Sequence, residues 1–337
     1  MAKVLKWLVG VVAGLAVIAA VLWFTPTGDY VILPGVTENL NQVVHVQGVR
    51  KAPPGRMLMV AVDIQQANLL YYLIGKYTPY GEVMPASELL GTDVSEAQYE
   101  QMNQQLMSES HLMAKVAALR AIGLPARETG KGVLVYATEQ GTPAAGKLKA
   151  NDVITAVDGH AMQIDQQLLN FMGTVKPGTP VDMTVRRKGK TLHVVVGTVP
   201  STDLKGHAMV GALIGTLSPG FVVPLKIKIS TGSISGPSAG MMFSLSIIDQ
   251  LRPQWHLTHG NTVAGTGTID AFGDVGAIGG IKEKVVTVFD SGAKVFLVPR
   301  GDYADAVAEA RALGITNKMR IIPVGTLDQA LTALRRS

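Results

Sequence analysis

Ser235-Gly236-Pro237-Ser238-Ala239-Gly240 leads into an apolar run from Met241 to Leu251, and Gly279-Gly280-Ile281-Lys282-Glu283-Lys284 leads into another that holds Val285, Val286 and Phe289. Both stretches read as glycine turns at the mouth of a helix. Backbone N–H groups at a helix start lack intrahelical partners and can stabilise negative charge. A lysine set among apolar residues is desolvated, which lowers its pKa and leaves a neutral amine free to act as a base. Ser238 and Lys282 are therefore expected to form a Ser–Lys dyad. Lys284 competes for the base role. Its neighbours three and four positions on are Thr287 and Val288, whereas those of Lys282 are Val285 and Val286. On that count Lys282 is the more shielded.

With these residues in place, the segment from about Asp203 to Ser337 resembles the proteolytic domain of the Lon family of serine proteases. The family's GPSAG motif falls on Ser238 and its GG-(L/I)-KEK motif is read onto Lys282. A Thr-Gly pair sixteen residues earlier, Thr266-Gly267, matches the threonine that hydrogen-bonds the family's lysine. The resemblance implies a Lon-type α/β domain that cleaves peptide bonds. Two positions depart from the family's pattern: Ser235 stands where ATP-dependent members carry Asp, and Thr268 where they carry Glu. Members of the family often assemble into rings, so a homo-oligomer is among the implied partners.

Other chemistries fit less well. Gly236-x-Ser238-x-Gly240 matches the G-x-S-x-G elbow of α/β-hydrolases, but that elbow needs a buried strand before the serine and an acid and then a histidine after it. The preceding residues are the polar Ser230-Thr231-Gly232-Ser233-Ile234-Ser235, and His256 and His259 come before Asp270. His256-x-x-His259 lacks the glutamate of a zinc-protease helix and reads as loop, so no metal is expected. No G-x-x-x-x-G-K-[ST] occurs in the chain, and Gly265-Thr266-Gly267 leads into a strand rather than a helix, so no nucleotide is expected. Substrates are then peptides or loosely folded proteins, handled without ATP and without a cofactor.

Length and composition fit this reading. The 337 residues have room for two or three domains. The net charge of +5 is scattered, with no basic run that would argue for nucleic acid. There is no cysteine, which excludes disulfides and thiol chemistry. The run Val4–Phe24 is apolar apart from Lys6. Its uncharged part, Trp7–Phe24, is close to the lower limit of about 17–25 residues for a spanning helix. Lys3 and Lys6 precede the run, and no Lys or Arg follows until Arg50. The positive-inside rule then puts the amino terminus in the cytoplasm and the rest of the chain outside, on the cell membrane. No small-x-small site follows the run, which favours an anchor over a cleaved signal peptide.

Four segments are expected. Residues 1–29 form the anchor and a short linker. Residues 30–123 form an α+β segment: strands at Tyr30–Gly35, Val43–Val49 and Arg56–Val62, a short helix Asn68–Tyr77, and a long helix to about Ala121 that Ser95 and Gln98 open as a capping box. His111 on that helix is expected to be solvated. Residues 124–200 read as strands Gly132–Ala137 and Asp152–Val157, a helix Gln163–Val175, and a hairpin across Lys188-Gly189. That order, with Gly141–Gly146 and Lys149–Ile154, resembles a bacterial PDZ domain, Asn151 standing where the pattern has glycine. The resemblance implies capture of an extended peptide along Gly132, Val133 and Leu134 beside the helix at Leu168. Residues 201–337 are the proteolytic domain, with strands Phe221–Ile229 and Val263–Ile269 and a closing strand–helix–strand–helix. The whole is a multidomain α+β and α/β chain in which the N–H groups of Ser238 and Ala239 serve as oxyanion donors and Thr266 supports the lysine. The alternatives are a PDZ adaptor with an inactive protease domain and a His-dependent hydrolase.

Overall fold

The computed structural model describes residues 2–49, 54–78, 80–90, 94–201 and 207–336. They divide into two compact units, Met1–Pro125 with Leu225–Ser337, and Ala126–Pro224. The second is thus an insertion in the first, whereas the sequence reading expected residues 30–123 to stand apart from 201–337.

The reason is one mixed six-stranded sheet. Its order is Arg320–Val324, Val295–Pro299, Thr262–Gly265, Arg56–Asn68, Pro26–Asn39 and Glu82–Pro85. Arg56–Asn68 runs parallel to Thr262–Gly265, with Leu58 opposite Ala264 and Met59 opposite Gly265, and its other edge pairs antiparallel with Pro26–Asn39. The strands on either side of Thr262–Gly265 therefore come from opposite ends of the chain. Successive strand residues point to opposite faces. Leu58, Val60 and Ala264 join a core with Ile281, Val285, Val288, Phe296 and Val298. On the other face Gly265 leaves room for Met242 of the apolar helix Gly240–Leu251. The two helices predicted to carry the dyad thus cover the two faces of one sheet.

The long helix Glu96–Ala121 starts as expected, with Ser95 and Gln98 forming the capping box. It packs along Gly240–Leu251, where Ser244 Oγ donates to the Ala114 carbonyl at 3.2 Å. His111 is not solvated. Its ring lies edge-on to Phe243 with centroids 5.1 Å apart, and burial, assisted by Lys115, pushes its pKa down to about 4.

The expected strand Phe221–Ile229 is two strands split by Pro224. Gly220–Val222 pairs with Arg127–Thr129 in the inserted unit, and Ile227–Ile229 pairs with Val44–Val46 in the other. The helix Ala2–Phe24 contains a stretch, Lys6–Phe24, long and apolar enough to cross a membrane, and none of that stretch is buried.

The inserted unit is an antiparallel sheet in the order Lys190–Val196, Val181–Arg187, Val153–Val157, Val133–Thr138 and Ala212–Thr216, with the helix Asp165–Met172 beside it. The hairpin turns on Lys188 and Gly189, both at positive φ, as a two-residue turn requires. Asn151 has φ 68°, the left-handed geometry for which the expected glycine would be used. Next to it Asp152 is fully buried and accepts from Arg187 Nε and Nη2, at 2.7 and 2.6 Å. Burial alone would raise that carboxyl, but the Arg187 and Lys149 bonds outweigh it and hold it below the usual carboxylate range.

Leu58 lies far outside the segment that the sequence assigned to the catalytic fold, yet it fills that unit's core. Leu58→Ala should lower the unfolding free energy of the full chain by about 2–5 kcal/mol, the usual cost of emptying a packed leucine site, in urea titrations followed by circular dichroism. A change near zero would mean that the strand is peripheral.

Candidate active site

Thr266 leaves the sheet at the carboxyl end of Thr262–Gly265, between the two helices. Its hydroxyl donates to the Ser238 carbonyl at 3.0 Å and accepts from Lys284 Nζ at 3.1 Å. The Gly267 N–H also donates to the Ser238 carbonyl, at 2.7 Å, and Met241 N–H donates to the Gly267 carbonyl at 3.1 Å. The serine backbone is therefore clamped to the Thr266-Gly267 pair just before its helix begins. From the other side, Ser110 Oγ on the long helix donates to the Pro237 carbonyl, and Gly236 N–H donates to the carbonyl of Asn103. Gly240 is needed for this close approach: a Cβ there would fall 2.7 Å from Ile269 Cγ2 and 2.8 Å from Ser110 Oγ.

The lysine helix Ile281–Asp290 begins at Gly280, whose φ of 68° is left-handed and whose Cβ would meet Val62 at 2.7 Å. The helix is tied to the first long strand by Gly35 N–H donating to Thr287 Oγ1 at 3.1 Å. Its inward face is Ile281, Lys284, Val285 and Val288, the i, i+3, i+4, i+7 row.

The order of shielding is the reverse of the one expected from the sequence. Lys282 is exposed and does not line the cleft, while Lys284 is 2% exposed and does. Counting apolar neighbours after each lysine misled, because Val285 and Val286 straddle two sides of a helix that is buried over most of its circumference. The row starting at Ile281 was the signal that could have found Lys284. Burial lowers its ammonium from the ordinary 10.5 to about 8, with the Asp302 and Glu283 carboxylates opposing a further fall. Asp302 is itself held by the Ile278 N–H at 3.0 Å, in the turn that leads to Gly279-Gly280.

Ser238, Ala239 and Lys284 open on one cleft of about 720 Å³, bounded by the strand residues Met59–Ile64, by Pro34–Val36 and by the long helix at Tyr99, Glu100 and Asn103. Thr266 is fully buried behind it. Of the expected residues, Ser238, Ala239 and Thr266 are thus brought together, and Lys282 is left out. His256 and His259 lie in left-handed turns, and His259 Nε2 is 3.0 Å from the Leu334 carbonyl. Among the described residues no group of His, Asp and Glu is placed to hold a metal.

In the inserted unit, the strand edge expected to receive a peptide is already paired. Val133 and Leu134 lie in the strand Val133–Thr138, Gly132 immediately precedes it and Leu168 is buried in the neighbouring helix, while Ala212–Thr216 is paired along that strand. The sequence reading ended this domain at residue 200 and so missed its last strand.

Comparison with known proteins agrees with both units. Residues 120–198 match the PDZ domain model, and residues 221–336 match that of the Lon protease (S16) C-terminal proteolytic domain. The Lon protease of Campylobacter concisus (strain 13826) is 34% identical over 199 residues, 56% of this chain and 23% of that protein. A probable periplasmic serine endoprotease, DegP-like, of Pseudomonas fulva (strain 12-X) is 39% identical over 79 residues, 23% of this chain and 16% of that protein. The crystal structure of the PDZ domain of an SdrC-like protein from Listeria innocua is 26% identical, covering 25% of this chain and 92% of that one, with a TM-score of 0.23. The chain therefore carries a PDZ domain and a Lon-type proteolytic domain, and it spans less than a third of the length of these two curated relatives.

If the lysine amine is as desolvated as its position implies, the side-chain resonance that disappears in Lys284→Met should titrate with a midpoint near pH 8 in heteronuclear NMR. A midpoint at the ordinary lysine value would place the amine in water.

Proposed function

We propose that this chain is a membrane-anchored serine endopeptidase in which Ser238 is the nucleophile and Lys284 the general base. One observation carries the reading: the amine that shares a cleft with Ser238 is buried and held by Thr266, and that burial pushes its pKa down to about 8. Because the Thr266 hydrogen goes to the Ser238 carbonyl, its oxygen accepts one N–H of the lysine and leaves the amine's lone pair for the serine. Neutral Lys284 takes the Ser238 proton, and the alkoxide attacks a peptide carbonyl to form an acyl-enzyme. The Ser238 and Ala239 N–H groups lie at the helix mouth, where they can receive the oxyanion. The lysine returns its proton to the leaving amine and then serves as base for the deacylating water.

Peptides or loosely folded proteins are the proposed substrates, since nothing in these 337 residues matches a nucleotide loop that could drive unfolding. With Lys6–Phe24 as a single span and the lysines ahead of it, the proteolytic unit works on the extracytoplasmic side.

The test is cleavage of a quenched fluorescent casein or peptide library by the full-length protein. Ser238→Ala and Lys284→Met should each reduce turnover at least 10³-fold, and Lys282→Met should leave it within about threefold of the parent. The rate should rise with pH and level off above about 8, because the base is protonated and idle below that value and neutral above it. Full activity in Lys284→Met would overturn the assignment. Inactivity of the unmodified chain, with no labelling of Ser238 by a serine-reactive probe, would instead favour a PDZ adaptor.

A further inference from the structure

The edge of a PDZ sheet captures a ligand by accepting it as an extra antiparallel strand beside a helix, with the ligand's last carbonyl directed at the loop ahead of the edge strand. In this chain that edge is filled by its own residues. Ala212–Thr216 runs antiparallel to Val133–Thr138, with Thr216 opposite Val133, Gly215 opposite Leu134 and Ile214 opposite Val135. Its polarity brings the carboxyl end of the segment to the loop Gly130–Gly132. There the pairing continues: Leu217 N–H donates to the Gly132 carbonyl, and the Leu217 carbonyl accepts from the Lys131 N–H, both at 2.8 Å. The Leu217 carbonyl thus occupies the place at which a captured peptide would present its terminal carboxylate.

The side chains follow the same logic. Ala212 and Ile214 pack against the core that contains Leu168 and Met172 of the helix, while Leu213 between them is 65% exposed. Thr216 Oγ1 donates to Asp165 Oδ1 at 2.9 Å and accepts from the Asp165 N–H at 3.0 Å, at the first turn of that helix. Nearer the start of the segment the groove is incompletely filled: an apolar cavity of about 450 Å³ remains between Leu168, Leu169, Met172 and the residues Ala208–Ile214. The neighbouring bulge between Leu213 and Ile214 breaks the register there.

We infer that Ala212–Leu217 is a built-in ligand of the PDZ groove, and that an external peptide gains access by displacing it. The segment also describes what the groove accepts. That ligand is an extended peptide with a free carboxylate, an apolar residue at its end, a hydroxyl residue before it and an aliphatic side chain two residues further back. Being part of the chain, the segment competes at an effective concentration of order millimolar, so the apparent association constant of any external peptide is its intrinsic value multiplied by the fraction of time the groove is empty. This inference concerns regulation of the PDZ unit and does not require that the dyad be active.

The test uses full-length protein in detergent with Ser238→Ala, so that binding is read without cleavage and separately from catalysis. The probe is fluorescein-labelled Ala-Leu-Ile-Gly-Thr-Leu with a free carboxylate, followed by fluorescence anisotropy. Ile214→Asp removes the strand's apolar anchor and should tighten binding at least tenfold over the parent. Ala137 and Leu213 are exposed and directly opposite each other, and the chain has no cysteine of its own. The oxidised Ala137→Cys/Leu213→Cys pair should therefore lock the segment and abolish binding, and reduction should restore it. Equal affinity in the parent and Ile214→Asp, or equal affinity in the oxidised and reduced pair, would overturn the inference. If Ile214→Asp does not fold, Thr216→Ala replaces it, with the same direction of change expected.

Discussion

A lysine amine buried against a single threonine is the constraint around which the larger unit is arranged. An ammonium in such a place loses its hydration, and the fall of Lys284 to about 8 is the direct result. To keep it there, the fold must put a helix start, a strand end and the serine turn within a few ångströms of one another. Thr266 does this with one hydroxyl that joins Lys284 to the Ser238 carbonyl. Gly240 and Gly280 permit the close approaches on either side. The lysine helix and the serine helix cover opposite faces of the sheet, so the carboxyl end of Thr262–Gly265 is the one place where groups from both can meet, as is usual for sites in open α/β sheets.

That sheet explains why the residues on either side of the inserted unit fold as one body. Arg56–Asn68 is hydrogen-bonded on both edges, to Pro26–Asn39 and to Thr262–Gly265, so residues before and after the insertion depend on each other for burial. The long helix adds a second tie through Ser110 and Asn103, which hold the Pro237 and Gly236 backbone. The residues that shape the cleft accordingly come from both sides of the insertion. In the inserted unit, Asp152 and Arg187 supply a comparable internal constraint, a buried carboxylate paired bidentately across the sheet.

Local signals in the sequence were read correctly where the physics is local. Ser95 with Gln98 gave the start of the long helix and Lys188-Gly189 the hairpin turn, because a cap or a turn depends on a few adjacent residues; the short helix expected over Asn68–Tyr77 runs from Leu69, with Asn68 as its cap. Ser238 was singled out as a serine between glycines ahead of an apolar run, and Thr266 only through the resemblance to the Lon family; the structure puts Ser238 just ahead of the helix Gly240–Leu251. His111 was misread because its neighbour Phe243 is distant in sequence.

By itself, then, the sequence determined which turns open onto helices, which serine stands at a helix mouth, and that two lysines competed for one role. Only the tertiary structure shows that Lys284 is buried and Lys282 exposed, because the two are separated by the roll of a helix against a sheet whose partner strand lies some two hundred residues away. The same holds for the domain boundaries and for the strand that fills the PDZ edge. Strand pairing is a contact between remote segments, and nothing in the composition of Arg56–Asn68 or Ala212–Thr216 states which edge each will join.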